Sequence, residues 1–181
     1  MNINCDMMNS RNIRLKKIVK MSRVKKGDKV LDLGCKDNEL KKFLPEVDYI
    51  GVDIDGKPDI KYNLEMGLPK EILNKKFDVI IMGEFLEHIE NFKTLLLQCK
   101  KCLKENGRII VSTPFPYRFQ ISGDPTHIHF FTKMSMRNLA KICGLKITKM
   151  KGSFIYIPIF KVIIPSDQII YTNNVIYVIE K

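Results

Sequence analysis

The run Val30-Leu-Asp-Leu33, closed at once by Gly34, limits this chain more than any other feature. It reads as a short buried strand that ends in a sharp turn, and the same pattern recurs downstream. Tyr49–Asp53, Phe77–Met82, Arg108–Ser112, Leu145–Met150 and Val175–Ile179 are further apolar runs, with a weaker one at Asp59–Asn63. Phe77-Asp-Val-Ile-Ile-Met82 is apolar on both faces, as parallel strands covered by helices are. Helical spacing separates the runs. Glu39–Leu44 ends at Pro45. Asn91–Lys104 carries Phe92, Leu95, Leu96, Cys99, Cys102 and Leu103, and a helix capped by Thr132 carries Met134, Leu139 and Ile142 and closes at Gly144. Strands alternating with helices predict an α/β fold: a doubly wound, mostly parallel, seven-stranded sheet in a single domain over 28–181. Residues 1–27 read as a leader, loose over 1–10, followed by a weakly amphipathic basic helix over 11–24. Residues 152–173 read as an insertion between the last two strands, a cover over one end of the sheet.

Charge narrows the partners. The net charge is +11, and residues 11–29 hold nine basic side chains against Asp28 alone. Such a stretch suits RNA, a phosphorylated substrate or an anionic membrane, or else a solvated lysine-rich face. Five cysteines, an odd number, with no apolar leader segment, point to reduced thiols in a cytoplasmic protein. Cys99-Lys-Lys-Cys102 has no second pair and lies in a helical stretch, so it reads as two small buried hydrophobes. The most apolar run, Phe154–Pro165, is too short and too interrupted to span a bilayer.

Open α/β sheets bind ligands beyond the carboxyl ends of their strands. Asp53, at the end of the second strand, stands where an acidic side chain accepts hydrogen bonds from ribose hydroxyls, which implies a nucleoside-containing cofactor. A dinucleotide needs several glycines after the first strand so that backbone amides reach the pyrophosphate. Here Gly34 stands with Lys36 and Asn38, so a pyrophosphate cradle is not expected. S-adenosylmethionine carries no phosphate and asks less of the loop.

The residues Val30-Leu-Asp-Leu-Gly-Cys-Lys-Asp-Asn-Glu-Leu40 resemble the first motif of the class I S-adenosylmethionine-dependent methyltransferases, in particular its small type 11/12 members. The resemblance continues through Gly51-Val-Asp-Ile-Asp55, Asn63-Leu-Glu-Met-Gly-Leu-Pro69, Phe77-Asp-Val-Ile-Ile81, Glu84-Phe-Leu-Glu-His88 and Leu103–Pro114, in the family's order. It implies cofactor contacts from Asp32, Gly34, Cys35, Lys36, Asp53, Ile54, Asn63, Leu64, Gly83 and Glu84. Gly34 would pass close to the methionine part, Asp53 would hold the ribose, Asn63 and Leu64 would flank the adenine, and Gly83 and Glu84 would lie near the sulfonium. Lys36 either pairs with the cofactor's carboxylate or obstructs the pocket.

Glu84, Glu87 and His88 share one helical face at i, i+3 and i+4. Two carboxylates and an imidazole suit a divalent cation, Mg or Mn first, with Fe, Co or Zn admitted by the imidazole. The other histidines, His127 and His129, follow the fifth strand and can reach the same end of the sheet. Glu-x-x-Glu-His with a later His resembles the O-methyltransferases of ubiquinone biosynthesis and the small-RNA 3′-terminal 2′-O-methyltransferases. That resemblance implies a metal on Glu84, Glu87, His88 and His127. Without metal, His88, His127 or His129 is the candidate general base. Thr113–Tyr117, Phe119 and the apolar 154–164 segment would form the acceptor side. The expectation is a cytoplasmic enzyme that methylates an oxygen of a small molecule. The alternatives are RNA 2′-O-methylation through the basic 11–29 segment, or a non-catalytic binding module on a decayed fold.

Overall fold

The computed structural model describes residues 3–116, 124–157, 162–167 and 172–181. Its centre is a seven-stranded sheet of β1 (Lys29–Leu33), β2 (Asp48–Asp53), β3 (Ile60–Lys61), β4 (Phe77–Gly83), β5 (Leu103–Pro114), β6 (Lys146–Gly152) and β9 (Asn174–Glu180). Their order across the sheet is β3-β2-β1-β4-β5-β9-β6. The first five strands run parallel, and β9 inserts antiparallel between β5 and β6. The doubly wound, mostly parallel fold expected from the sequence is the one observed.

The helices are α1 (Ile3–Ser22), α2 (Lys70–Leu73), α3 (Phe92–Cys102) and α4 (Lys133–Ile142), and tight 3-10 turns occupy Glu39–Phe43, Leu64–Met66 and Leu86–His88. Residues 1–10 were expected to be loose, whereas α1 begins at Ile3. No glycine or proline occurs before Gly27, so nothing in the chain interrupts the helix. It stops where Arg23 turns left-handed at φ 50°. Arg108 then donates to the Ser22 carbonyl at 2.7 Å, placing a cation on the open end of the helix.

The sheet is covered on both faces because its strands are apolar on both. On one face Leu31, Leu33, Ile80, Met82, Ile109, Val111 and Tyr177 pack with α2, α3 and α4. On the other Val30, Val79, Ile81, Ile110 and Ile176 meet Leu15, Ile18 and Met21 of α1. Burying each such side chain contributes roughly 1.5–3 kcal/mol. Cys99 and Cys102 are buried on the inner face of α3, the packing role expected of them.

Between β6 and β9 the segment expected to be an insertion contains a two-stranded antiparallel ribbon outside the main sheet, β7 (Phe154–Ile157) with β8 (Val162–Pro165). Lys17 of α1 ties down the root of this ribbon by donating to the Ser166 carbonyl at 2.6 Å and pairing with Asp167, which Lys151 also engages. Tyr117, Phe119 and the side chains of 154–164, expected on the acceptor side, lie outside the described residues.

The chain runs outward from β1 to β3 and then returns to β4, so the switch in direction falls between β1 and β4. The carboxyl ends of these two strands therefore part and leave a crevice. Ile80→Ala, deep in the sheet, should cost about 2–5 kcal/mol in urea unfolding. Met134→Ala, on the exposed side of α4, should stay within roughly 0.5 kcal/mol.

Candidate active site

A cavity of about 560 Å³ opens at that crevice. Gly34 and Lys36 supply one wall, Asp53, Ile54, Tyr62, Asn63 and Leu64 a second, and Gly83, Glu84 and Phe85 the floor. Arg11 and Arg14 of α1 close one side, and His88, Ile89 and Thr126 the other. Eight of the ten residues expected at the cofactor therefore line one cavity.

The loop after β1 is built by three left-handed residues, Gly34 at φ 77°, Lys36 at 51° and Asn38 at 55°. Lys36 and Asn38 adopt the backbone that glycine takes most easily, at a cost of about 1–2 kcal/mol for Lys36. Hydrogen bonds hold the loop there. The Lys36 N–H donates to Asp53 Oδ2 at 2.7 Å, Lys57 N–H donates to the Lys36 carbonyl at 3.0 Å, and the Asn38 amide donates to the Lys57 carbonyl at 3.0 Å. Asp53 Oδ1 also accepts from Asp55 N–H at 3.0 Å. Its carboxylate is thus fixed from behind, with lone pairs left for a ligand's hydroxyls. At Gly34 a Cβ would lie 2.4 Å from the Phe85 ring, so only glycine fits.

Asp32 and Cys35, also expected at the cofactor, are not part of the cavity lining. Both are buried, and Asp32 lies on the α1 face of the sheet because alternate strand residues point to opposite faces. The Tyr49 hydroxyl donates to Asp32 Oδ2 at 2.7 Å, with Asn38 Oδ1 3.3 Å away. Burial pushes the Asp32 carboxyl up to about 7, opposed by the Tyr49 hydrogen bond.

Glu84 and Glu87 part company. Glu84, left-handed at φ 55°, accepts the Ser112 hydroxyl on Oε1 at 2.9 Å and the Asn174 amide on Oε2, with Arg14 Nη1 3.9 Å from Oε2. It therefore stands apart from the cluster of possible metal ligands, contrary to expectation. That cluster is Glu87, His88 and His127, whose candidate donor atoms lie within 4.8 Å of one another. Glu87 is 1% exposed and neither of its oxygens has a partner. Burial, reinforced by the nearby Glu84 charge, pushes it up to about 9. His88 Nδ1 lies 3.1 Å from the Thr126 carbonyl. The Thr126 hydroxyl lies 3.0 Å from the same nitrogen and spends its own proton on Asp124 Oδ1 at 2.6 Å, so both Thr126 oxygens accept, Nδ1 carries the proton and Nε2 is left to act. His127 Nδ1 is buried without a partner, and its ring meets His88 edge-on at 4.7 Å. A buried, unpartnered carboxylate beside two imidazoles fits a divalent cation. His129, expected as a candidate base, turns away from the cavity and packs edge-on against Phe92 at 4.7 Å. Its N–H and that of Ile128 bond the Glu87 carbonyl, both at 3.1 Å, and hold the 3-10 turn.

As part of a basic helix, Arg11 and Arg14 give no sign in their charge of reaching a cavity. Their spacing with the buried Ile18 and Met21 puts all four on one face, a signal present in the sequence. Arg14 Nε is buried and unpartnered. Of the nine basic side chains in 11–29, Arg11, Arg14, Lys17, Lys26 and Lys29 are ion-paired. Among the described residues no helix is long and apolar enough to cross a membrane.

A family model described as a methyltransferase domain matches residues 10–150. The chain is 32% identical over 126 residues to a ubiquinone biosynthesis O-methyltransferase of Pasteurella multocida (strain Pm70), covering 56% of this chain and 52% of the relative. The chain thus spans about half the length of that curated relative. Among solved structures, a SAM-dependent methyltransferase from Archaeoglobus fulgidus has a TM-score of 0.70 at 20% identity, covering 97% of this chain and 94% of that one. The 1,6-didemethyltoxoflavin-N1-methyltransferase of Burkholderia thailandensis, solved with S-adenosylhomocysteine, has a TM-score of 0.68 at 13% identity, covering 97% and 80%. These structural likenesses establish the shared fold.

Gly34→Ala should destabilise the chain by about 1–3 kcal/mol in urea unfolding, through backbone strain and the Phe85 clash. A separate expectation concerns Asp32. Its folded value lies above the unfolded one, so its stabilisation is present below about pH 4 and is lost as pH rises through about 7. Thermal melting should show Asp32→Asn removing that part of the decline, while the part due to Glu87 persists towards about pH 9.

Proposed function

The chain belongs to the methyltransferase domain family, and we propose that it moves the methyl group of S-adenosylmethionine to a hydroxyl oxygen of a small acceptor. Asp53 takes the ribose hydroxyls, and Ile54, Tyr62 and Leu64 cover the adenine. Arg14 and Glu84, of opposite charge, suit the carboxylate and ammonium of the methionine part. The observation that carries the choice of oxygen is Glu87, a buried carboxylate with no partner, grouped with His127 and with His88, which lines the cavity.

Glu87, His88 and His127 would hold a Mg or Mn ion, which supplies Lewis acidity to an acceptor hydroxyl when bound. Glu87 gives up its proton to act as a ligand, so cation binding strengthens as pH rises. Thr126 fixes the His88 tautomer, which keeps Nε2 available as a ligand atom, or as the proton acceptor if no cation claims it. The acceptor oxygen attacks the methyl carbon, the C–S bond breaks with its electron pair moving to sulfur, and the hydroxyl proton passes to His88 Nε2, or to solvent where a cation holds that nitrogen. The cofactor arrives activated by its sulfonium charge, so the chain's main work is alignment. The ion pairing of five basic side chains in 11–29 reduces the charge free to grip RNA, which favours a small acceptor.

Calorimetry should show S-adenosylhomocysteine binding that Asp53→Ala weakens by at least about tenfold. Mass spectrometry with a panel of phenols and catechols should show methyl transfer that EDTA stops and Mn²⁺ restores. Transfer untouched by both EDTA and Glu87→Gln would remove the cation from the account and leave His88 as the base.

A further inference from the structure

Glu84 is held in a costly conformation, and what holds it lies far along the chain. It is left-handed without being glycine, a state that persists only when its surroundings over-determine it. Its N–H donates to the Ser112 carbonyl at 3.0 Å, and Ser112 Oγ lies 3.2 Å from the same N–H. The Ser112 hydroxyl takes one carboxylate oxygen and the Asn174 amide takes the other.

Asn174 is buried at the first position of β9. The Ser153 hydroxyl donates to its Oδ1 at 3.1 Å. That bond fixes which end of the amide faces which way and directs Nδ2 at Glu84. Ser153 N–H reaches Thr172 Oγ1 at 2.9 Å and the Asn174 carbonyl at 3.0 Å, and the Thr172 hydroxyl donates to that same carbonyl at 2.8 Å. Ser112, Ser153, Thr172 and Asn174 are all buried. Ser153 immediately precedes β7, and Thr172 lies on the return from β8. The root of the ribbon and the floor of the cavity therefore share one hydrogen-bond network that is buried except at Glu84, and its buried bonds are stronger than they would be in water.

We infer that Asn174 is a positioning residue for this site: it orients Glu84 towards the cofactor and joins the root of the β7–β8 ribbon to the cavity. The inference rests on the cofactor reading above. Cofactor binding and the ribbon then stabilise each other through Glu84, with no contact between Asn174 and the reacting atoms.

The test is calorimetry with S-adenosylhomocysteine, paired with hydrogen exchange at the ribbon root, on wild type, Asn174→Ala, Asn174→Asp and Ser153→Ala. Asn174→Ala should weaken binding about tenfold, because a hydrogen bond to a carboxylate is lost. Asn174→Asp should weaken it further, since a second negative charge faces Glu84. Ser153→Ala, which leaves the donor but frees the amide to turn, should weaken it about threefold. In wild type the ligand should slow exchange at Gly152, Ser153 and the amides of β7 and β8, and in Asn174→Ala it should not. A residue with only a structural role would lower melting temperature and leave both readouts unchanged. Wild-type affinity and ribbon protection in the Asn174 variants would overturn the inference, as would the same result in Ser153→Ala should the others fail to fold. Wild-type protein that binds no S-adenosylhomocysteine would instead overturn the cofactor reading, and this inference with it.

Discussion

At the exit from β1 the Phe85 ring occupies the space a side chain at position 34 would need. Two strands that part at a switch point leave a crevice only if the chain clears it, and here it does so through the left-handed turn at Gly34. That turn brings the Lys36 N–H to Asp53, which ties the end of β1 to the end of β2. The cavity walls, the aim of Asp53 and the left-handed Lys36 and Asn38 all follow from that one close approach. Two non-glycine residues tolerate the conformation because their neighbours accept or donate the hydrogen bonds it exposes.

Glu84 and Glu87 illustrate how backbone conformation separates two similar side chains. On a regular helix they would share a face. The left-handed Glu84 and the 3-10 turn that follows send them apart. Glu84 finds Ser112, Asn174 and Arg14 and keeps hydrogen bonds to both oxygens. Glu87 is buried with none, so its charged form is disfavoured until a cation or proton compensates it. A carboxylate whose oxygens are both hydrogen-bonded and one whose oxygens are not thus lie within one turn of chain.

The strands and most of the cavity were legible because their signals are local. Apolar runs ended by Gly34, Asp53 and Gly83 mark strand ends, and strand ends in this fold are the binding edge. Less legible was whatever depended on distant partners. Helical spacing put Glu84 with Glu87 and His88, since periodicity cannot register a left-handed residue at the start of the segment. Asp32 lies two residues before Gly34, yet strand alternation turns it to the α1 face and onto Tyr49. His129 carried a chemistry-bearing side chain, and its ring packs against Phe92 outside the cavity lining. The hydrogen bonds of Asn174 bridge 21 residues to Ser153 and 90 to Glu84, and no local pattern announces them. Arg14 was readable as an inward-facing residue by its spacing to Ile18, although the charge run around it pointed to the surface.

On the proposed function, the crevice between β1 and β4 takes S-adenosylmethionine, and a cation sits by His88 at its rim. A crystal structure with S-adenosylhomocysteine and Mn²⁺ tests it most directly. Ribose hydroxyls should then lie on Asp53, the amino-acid end between Arg14 and Glu84, and anomalous density for manganese among Glu87, His88 and His127. Ligand density elsewhere, or an adenine ring turned away from Ile54 and Leu64, would contradict it.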